Sequence, residues 1–423
     1  MKSVPSAPPL QSFGRELKTC RMCGGKDLKL VLDLGHQPHS DSFPTREQLN
    51  EAEAHYPLRL LACATCGLLQ IDYLVNPSIL YQQDYLYVSS TTATGRKHFG
   101  DMAKAVAERS ALAAGSLVVD IGSNVGLLLG AFKALGMKVL GVDPAPIPAK
   151  QALQNGIDTV VDFFASHVAE KIRATHGEAS VITGTNVFAH MHELGDFIAG
   201  VKALLAKDGT LVIEAPHALT MIENLEYDTI YHQHVSYLSA RPMKDYFKQV
   251  GLELFSVETL PIHGGSLRYF AGFPGKHPVE PVVQELIQKE ETSGLYDLAR
   301  LAQFAREVVG QKRALVALLL GFKKQGKRIV ALSAPAKGNT LLNYCHLDAS
   351  IIDYATERNP LKIGRFTPGT HLPIYADEKI LSDTPDYALI LAWNFADEIM
   401  RNMELFKKGG GQFVLPIPRP TII

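Results

Sequence analysis

The sequence predicts an α/β protein built from a small cysteine-rich lobe followed by two α/β segments. Three observations lead to this prediction. Four of the five cysteines lie within residues 1–80, short apolar runs alternate with helical patterns over residues 81–275, and a second alternation begins near residue 327. Strands separated by amphipathic helices favour parallel sheets, so we expect domains at 1–80, 81–275 and 276–423, with Rossmann-like second and third domains.

The composition is that of an ordinary globular protein. Of the 423 residues, 46% are hydrophobic and 20% are charged, and the net charge of −1 provides no electrostatic field to hold a nucleic acid. No run approaches the ~18 apolar residues that a membrane-spanning helix needs, and the first residues contain no apolar signal core. We expect a cytoplasmic monomer or homodimer, with neither nucleic acid nor a membrane as a partner.

The cysteines of the first lobe are paired in sequence. Cys20-x-x-Cys23 and Cys63-x-x-Cys66 form two knuckles, each followed by a glycine that permits the positive φ of a tight turn. Two such knuckles can direct four thiolates at one tetrahedral zinc ion. Because protein fills all four positions, we predict a structural zinc site that stabilises a lobe whose own core is marginal. Two redox-active or buried cysteine pairs are the alternative.

Apolar runs mark the strands of the second domain. Four of them predict a parallel sheet: LVVDI (117–121), KVLGVD (138–143), SVITG (180–184) and TLVIEA (210–215). The runs LELFSVETL and SLRYFAGF follow with no long helix between them, which predicts an antiparallel pair closing the sheet. Residues 280–325 then carry apolar residues at helical spacing among many charges, typical of connecting or dimer-contacting helices with a solvated face.

A glycine loop follows the first of these strands. Residues 120–126 read Asp-x-Gly-x-x-x-Gly, which lets the backbone approach a ligand but lacks the G-x-G-x-x-G spacing of a dinucleotide site. Such a loop suits S-adenosylmethionine, which has no phosphate and whose ribose hydroxyls can donate to a strand-terminal acid. An ordinary βα turn is the alternative. We predict a class I methyltransferase domain whose cofactor contacts are Asp120, Gly122, Asn124, Gly126, Asp143, Asn186 and Phe188.

The segment TIYHQHVSYLS (229–239) concentrates titratable side chains. His232 and His234 would share a face only on a strand, since helical positions two apart diverge by about 200°. A metal pair would therefore need strand geometry and nearby carboxylates, for which the sequence offers Glu226 and Asp228. A single histidine acting as a base needs no special geometry. The spacing alone leaves both readings open, together with a purely structural role.

Across nearly its whole length the chain resembles the sugar-nucleotide C-methyltransferases that make branched deoxysugars of antibiotics and surface polysaccharides. The resemblance rests on motifs that are specific as an ordered set: the cysteine quartet, DYLYVSS (84–90), DIGSNVG (120–126), NVFAH (186–190), IYHQHVSY (230–237), HGGSLR (263–268), PAKGNTLLNY (335–344) and RNPLKIGRFTPGTHLPI (358–374). It implies S-adenosylmethionine-dependent methylation of a dTDP- or GDP-linked 4-keto-6-deoxy sugar at the carbon next to the ketone, C3.

The resemblance implies an active site at His190, Tyr231, Gln233 and His234. Removing a C–H proton beside a ketone needs a base that works near neutrality and donors around the enolate oxygen. His234 is the candidate base, and Tyr231 and His190 would bind or polarise the sugar oxygens. Gln233 departs from the family's YHEH motif, because an amide cannot raise the basicity of a neighbouring histidine as a carboxylate would. The departure points to a weaker base, another reaction or another sugar.

The third domain carries a candidate anion site. KRIVALS, ASIIDYA (349–355), YALILAW and GQFVLP read as strands, and KGNTLLNYC as a helix after the first of them. Lys337 and Asn339 at the start of that helix, with Lys362, could hold the negative charge of a sugar diphosphate. A domain retained for packing and dimerisation is the alternative.

Other functions are compatible with parts of this pattern. O- or N-methylation of a sugar or other small molecule keeps the methyl donor and needs a weaker base, and Gln233 is the reason to retain it. A zinc-ribbon methyltransferase acting on nucleic acid is disfavoured by the charge balance. An inactive scaffold would fail to bind S-adenosylmethionine.

Overall fold

The structure, a computed structural model, describes residues 13–82, 86 and 93–423. The first dozen residues and all but Leu86 of the DYLYVSS motif lie outside these described residues. Among the helices of the described part, none is both long and apolar enough to cross a membrane.

The N-terminal lobe is a small antiparallel sheet. Its elements are β1 (Gly14–Glu16), β2 (Leu28–Pro38), β3 (His55–Cys63), β4 (Leu69–Ile71), β5 (Tyr73–Val75) and α1 (Pro77–Tyr81). β2, β3 and β4 pair in that order, and β1 pairs with β5. Residues along β3 alternate between buried and more exposed, as expected of a strand with one face on a core. The two cysteine knuckles are the turns that precede β2 and follow β3.

The central region alternates helices and strands. Its elements are α2 (Ala93–Arg109), β6 (Leu117–Ile121), α3 (Leu127–Ala134), β7 (Lys138–Val142), α4 (Pro146–Gln154), β8 (Thr159–Val160), α5 (Ser166–His176), β9 (Ala179–Thr185), α6 (Leu194–Leu204), β10 (Leu205–Pro216), α7 (Ala218–Glu223), β11 (Ser236–Tyr237), α8 (Ala240–Gln249), β12 (Glu253–Leu260) and β13 (Ser266–Gly272). Short 3₁₀ turns lie at Phe188–His190, Tyr227–Thr229 and Ile262–Gly264.

The central sheet has the order β12-β13-β10-β9-β6-β7-β8. Strands β6 to β10 run parallel, and β13 pairs antiparallel with both β10 and β12, which confirms the predicted strands and the closing pair. The strand order reverses between β6 and β9, so the crevice at their carboxyl ends is where a ligand is expected. β11 leaves this sheet and pairs instead with β4 of the N-terminal lobe.

Two helices lead from the central sheet to the C-terminal part. They are α9 (Pro281–Thr292) and α10 (Leu298–Lys324), and Asp297 caps the second by accepting a hydrogen bond from the Ala299 amide. The helical prediction for residues 280–325 is thus confirmed, with a break between the two helices. α10 lies against β2 of the N-terminal lobe as well as α7.

The C-terminal part is a second α/β sheet. Its elements are β14 (Ile329–Leu332), α11 (Ala336–Cys345), β15 (Ala355–Glu357), β16 (Ile374–Ala376), α12 (Glu378–Asp383), β17 (Tyr387–Ile390), α13 (Ala396–Asn402), α14 (Glu404–Lys408), β18 (Gln412–Leu415) and β19 (Thr421–Ile422). The sheet order is β16-β15-β14-β17-β18-β19, parallel except at β19. The order reverses between β14 and β17, so this sheet also has a crevice at its carboxyl edge.

One predicted strand was wrong in its placement. The apolar run at 349–355 was expected to be a strand, but the strand is β15, which begins at Ala355. The side chain of Asp348 accepts hydrogen bonds from both the amide and the hydroxyl of Ser350, forming a local turn that competes with sheet pairing. Ile352 is fully buried, so this run fills the core from a turn.

One hydrophobic core extends from the N-terminal lobe into the C-terminal sheet. Leu58 and Leu60 of β3 cluster with Phe304 of α10 and Ile329 of β14, all of them fully buried. A second core lies against the central sheet and includes the cysteine knuckles. The lobe that was expected to be marginal alone is therefore packed into the cores of both larger sheets.

Candidate active site

The four cysteines of the knuckles converge on one point. Their Sγ atoms all lie within 4.8 Å of one another, with Cys20 and Cys66 3.6 Å apart and Cys23 and Cys63 3.5 Å apart. A tetrahedral zinc ion with sulfur ligands at about 2.3 Å would separate those sulfurs by about 3.8 Å, so the residues fit a zinc ion. The hydrogen bond with Cys66 lowers the pKa of Cys20 to about 5, which favours a thiolate ligand.

The glycines of the knuckles adopt the backbone conformation that the sequence predicted. Gly24 has a φ of 73° and Gly67 a φ of 84°, a region that other residues enter only with strain. All four cysteines are free thiols, and they form one cluster rather than two separate pairs.

A cavity of about 720 Å³ lies where the carboxyl ends of both parallel sheets face each other. This volume is in the range of sites that bind whole small molecules. Loops after β6, β7 and β9 line one half, loops after β14, β15 and β17 line the other, and the YHQH segment and Asp41 of the N-terminal lobe lie between them. All three parts of the chain therefore contribute side chains to one site.

Two buried carboxylates mark the half formed by the central sheet. Asp120 lies at the end of β6 and accepts a hydrogen bond from the Thr183 hydroxyl at 2.7 Å. Asp143 follows β7, and its two oxygens accept the amides of Asn124 and Ala145, each at 2.8 Å. Burial raises the pKa of Asp143, and that of Asp120 to about 7. Such carboxylates are stabilised by hydroxyl donors and positive charge, and S-adenosylmethionine brings both.

The glycine loop needs its first glycine for two reasons. Gly122 has a φ of 69°, and a Cβ at this position would lie 2.3 Å from a methyl carbon of Val187. Gly122, Asn124 and Asn186, three of the residues predicted to contact the cofactor, all line the cavity.

Two predicted cofactor contacts lie elsewhere. Gly126 has a φ of 77° at the start of α3, and a Cβ there would meet Ile157 at 2.9 Å, so its role is in the packing of the loop. Phe188 is fully buried and packs edge-on against Phe197. Neither lines the cavity. For Phe188 the reason is that the chain turns into a 3₁₀ helix after Asn186, which directs the Phe188 side chain into the core.

Tyr231 and His234 form a hydrogen-bonded pair on the cavity wall. Nδ1 of His234 lies 2.8 Å from the carbonyl oxygen of Thr229, and Nε2 lies 2.6 Å from the hydroxyl of Tyr231. A carbonyl oxygen can only accept, so Nδ1 carries a proton, and in the neutral ring Nε2 is the acceptor for the tyrosine. The backbone thus fixes a tautomer in which Nε2 is the basic atom.

His190 lies beside this pair, whereas His232 faces away from it. The rings of His190 and His234 are 4.9 Å apart between centroids. Burial lowers the pKa of His190 to about 3, so this imidazole is neutral at physiological pH. His232 is 1% exposed, packs against Tyr56 and does not line the cavity, which favours a structural role for it. The two histidines of the motif therefore do not form a metal pair.

The side-chain amide of Gln233 is hydrogen-bonded to two residues of the N-terminal lobe. Its Nε2 donates to a carboxylate oxygen of Asp41 at 2.8 Å, and its Oε1 accepts a hydrogen bond from the Ser40 hydroxyl at 3.4 Å. A carboxylate at position 233 would face that of Asp41 and leave the hydrogen bond without a donor. The amide that departs from the YHEH motif therefore matches an acid supplied by the N-terminal lobe.

The predicted anion site is only partly assembled in the cavity. Lys337 and Lys362 line it, while Asn339 is fully buried outside it and donates to the carbonyl oxygen of Ser40 at 2.7 Å. Asn339 thus holds the loop that carries Asp41. Burial lowers the pKa of Lys337 to about 8, and its ammonium lies 3.8 Å from the centre of the Trp393 ring.

Several lining residues were not found from the sequence. Phe163 and Phe164 follow β8, Glu357 ends β15, and Asp41 and His192 lie in loops without a motif. Glu357 could have been found as a strand-terminal acid, as Asp143 was, had its strand been placed two residues further on. Phe163 and Phe164 could have been predicted from their position after the third parallel strand. Asp41 carried none, because only the tertiary structure brings it to Gln233.

The sheet order, the strand-end acids and the glycine turn define a class I methyltransferase. Models of known families match the chain in three consecutive parts: a zinc binding domain at residues 20–81, a methyltransferase domain at 95–257, and a C-methyltransferase C-terminal domain at 261–418. The protein is thus an S-adenosylmethionine-dependent methyltransferase with a zinc-binding domain.

A relative extends this class to the whole chain. C-methyltransferase NovU of Streptomyces niveus is 34% identical over 98% of this chain and 99% of its own length. The chain therefore belongs to the C-methyltransferase family.

Solved structures resemble only part of the molecule. Magnesium protoporphyrin IX methyltransferase of Synechocystis PCC 6803 is 16% identical with a TM-score of 0.32, covering 42% of this chain and 81% of its own. The CcbJ methyltransferase of Streptomyces caelestis is 15% identical with a TM-score of 0.33, covering 41% of this chain and 89% of its own. At these scores the superposition adds nothing to the strand order and the family models.

Proposed function

We propose that this enzyme transfers a methyl group from S-adenosylmethionine to the carbon next to the ketone, C3, of a nucleotide-linked 4-keto-6-deoxy sugar. One observation carries the proposal: a single cavity joins two buried carboxylates on one side to a buried and a half-buried lysine on the other, with the His234–Tyr231 pair on its wall. The relative NovU, which is named as a C-methyltransferase, supports carbon as the acceptor atom.

The central half of the cavity suits the cofactor. Asp143 keeps lone pairs beyond those that accept the Asn124 and Ala145 amides, and these can accept the ribose hydroxyls. Phe163 and Phe164 offer flat apolar surface for the adenine. When bound, the cofactor supplies an electrophilic methyl group, and the task of these residues is to hold it in line with the sugar carbon.

His234 is the proposed base. Its Nδ1 proton is held by the Thr229 carbonyl oxygen, so the imidazole can take up a further proton only at Nε2. That nitrogen already accepts the Tyr231 hydroxyl at 2.6 Å, which favours a relay. In the relay the tyrosine oxygen takes the carbon-bound proton as its own proton passes to Nε2, leaving an enolate, a neutral tyrosine and an imidazolium.

His190 is suited to stabilise the enolate. Its Nε2 is buried and has no hydrogen-bond partner among the described residues. The neutral imidazole has one N–H, which can donate to the oxygen on which charge develops without introducing a competing acid. The orphaned nitrogen thus has a function once a substrate oxygen occupies the cavity.

The C-terminal half suits the nucleotide diphosphate. Lys337 follows β14 and Lys362 follows β15, and both line the cavity near the point where that strand order reverses. The ammonium of Lys337 also faces the carboxylates of Glu226 and Asp228, which keep its charge in a buried setting. A diphosphate would meet two lysines there, whereas the cofactor half would repel it.

The proposal is tested with dTDP-, GDP- and CDP-linked 4-keto-6-deoxy sugars and S-adenosylmethionine labelled with ¹³C in its methyl group. The expected product gains one methylene in mass, and its ¹³C resonance lies in the range of a methyl on carbon. A resonance in the O-methyl or N-methyl range would overturn C-methylation and favour the alternative acceptor. The amide of Gln233 gives no support to that alternative, because it is engaged by Asp41.

A further inference from the structure

Arg21 extends from the zinc knuckle into the active-site region. It lies between the ligands Cys20 and Cys23, and its amide donates to Oε1 of the fully buried Gln70 at 2.9 Å. Its guanidinium leaves the knuckle and donates to the hydroxyl of Ser236 at 2.5 Å and to the carbonyl oxygen of His192 at 3.1 Å. A further hydrogen bond goes to the carbonyl oxygen of Met191.

These partners belong to the two segments that carry the cavity histidines. Met191 and His192 directly follow His190, and Ser236 begins β11 two residues after His234. The Val235 amide also donates to the carbonyl oxygen of Ala189 at 2.9 Å, so the two segments are joined just before and just after His190, and directly after His234. One guanidinium therefore fixes the spacing of the segments from which the two imidazoles project.

The chemistry of these contacts requires arginine. A guanidinium is planar, presents five N–H donors and can bind several acceptors in fixed directions, whereas a lysine ammonium is a single point. The acceptors are two carbonyl oxygens and a hydroxyl, which would otherwise lose donors inside the protein. Gln70 and Ser236 face each other across the β4–β11 pair, so the arginine is held at its backbone and at its tip by the same two strands.

We propose that Arg21 is a positioning residue for methyl transfer, through which the zinc knuckle sets the distance between His190 and His234. The zinc-binding domain then contributes to catalysis as well as to stability. This inference rests on the proposed roles of the two histidines, so its test includes a readout that does not depend on them.

The variants are Arg21→Lys and Arg21→Gln in the full chain, with Arg59→Lys as the matched control. Arg59 is also an arginine of the lobe, but its partners Asp72 and Glu16 lie within the lobe itself. We expect the Arg21 variants to retain one zinc per chain by mass spectrometry of the metal and to bind S-adenosylmethionine as the wild type does. We expect kcat to fall about 10- to 100-fold with little change in KM, and the control to match the wild type.

Full zinc content with wild-type kcat in both Arg21 variants would overturn the proposal. If an Arg21 variant loses zinc, Ser236→Ala replaces it, because that change removes one arm of the contact far from the cysteines. We expect this variant to lose kcat by about threefold with zinc retained, and a wild-type kcat would equally overturn the proposal.

The independent readout is ¹⁵N NMR of the histidine rings. Arg21→Lys is expected to shift the resonances of both His190 and His234, and Arg59→Lys neither. If the wild type methylates no sugar in the panel, the proposed function fails while these shifts still test the positioning role. Unshifted rings in Arg21→Lys would show that the arginine does not set their geometry.

Discussion

The two parallel sheets present their carboxyl ends to the same cavity but differ in the charged side chains that they place there. The central sheet contributes Asp120 and Asp143 after two adjacent strands, and its described lining residues include no lysine or arginine. The C-terminal sheet contributes Lys337 and Lys362 beside acids such as Glu357. Both follow the rule that ligands bind where the strand order reverses, so topology alone does not distinguish them. The strand-end chemistry does: the central half offers acids, whereas the C-terminal half also offers the cations that an anion needs. In the proposed function, the central sheet binds the methyl donor and the C-terminal sheet binds the acceptor.

Among the variants that test the difference between the two halves, Asp143→Ala is expected to have the largest effect. Loss of a carboxylate that binds hydroxyls and orders the loop through the Asn124 and Ala145 amides should weaken S-adenosylmethionine binding by ~100-fold or more. Calorimetry measures it, with Glu357→Ala of the opposite half as the control that keeps wild-type affinity. An unchanged affinity of Asp143→Ala for S-adenosylmethionine would contradict the assignment of the cofactor to the central half of the cavity.

The converse change is Lys337→Met. We expect the KM for the nucleotide sugar to rise roughly 10- to 100-fold, because a buried charge-assisted contact with the diphosphate is lost, while S-adenosylmethionine affinity stays unchanged. Lys408→Met is the control, since Lys408 pairs with Glu404 on the exposed α14. A KM that moves no further than in the control would contradict an anion site at Lys337.

The charge of Lys337 should also appear in the pH dependence. Burial lowers its pKa to about 8, although Asp228 and Glu226 oppose the shift, so the side chain is a cation below this pH and neutral above it. We expect the KM for the nucleotide sugar to be flat below pH 8 and to rise by up to about tenfold per pH unit above it. In Lys337→Arg, which stays charged, this rise should be absent. A flat profile up to pH 10 in the wild type would argue against the lysine.

The smallest expected effect tests the boundary between the two halves. Gln233→Glu places a carboxylate against Asp41, and we expect kcat to fall about tenfold as the YHQH segment moves. The double variant Asp41→Asn, Gln233→Glu exchanges amide and acid and should recover most of the loss. Equal losses in the single and double variants would show that the pair does not act as a unit.

The sequence predicted what is encoded by local periodicity and by motifs at strand ends. The parallel strands, the cysteine knuckles with their glycines, and the position of Asp143 follow from patterns that a short window contains. What it missed depends on tertiary contacts. Phe188 and Asn339 lie within recognised motifs but face the core. Glu357 was missed because the strand that it ends was predicted to end two residues earlier.

Gln233 shows most clearly why the remainder could not be read from the chain. Its partner Asp41 lies 192 residues away in sequence, in a loop held by Asn339 from a third part of the chain. No local sequence pattern predicts a contact between residues so far apart in the chain. From the sequence, Gln233 indicated that His234 is a weaker base, but in the structure its amide donates a buried hydrogen bond to Asp41.

The central claim is that a proton leaves the sugar carbon to His234 before the methyl group arrives, and solvent deuterium exchange measures that step directly. With a nucleotide 4-keto-6-deoxy sugar in D₂O and no methyl donor, the wild type should incorporate deuterium at C3 far faster than the buffer alone. His234→Asn should reduce the rate to background. Methylated product from an enzyme that exchanges no deuterium, or wild-type exchange by His234→Asn, would contradict the account.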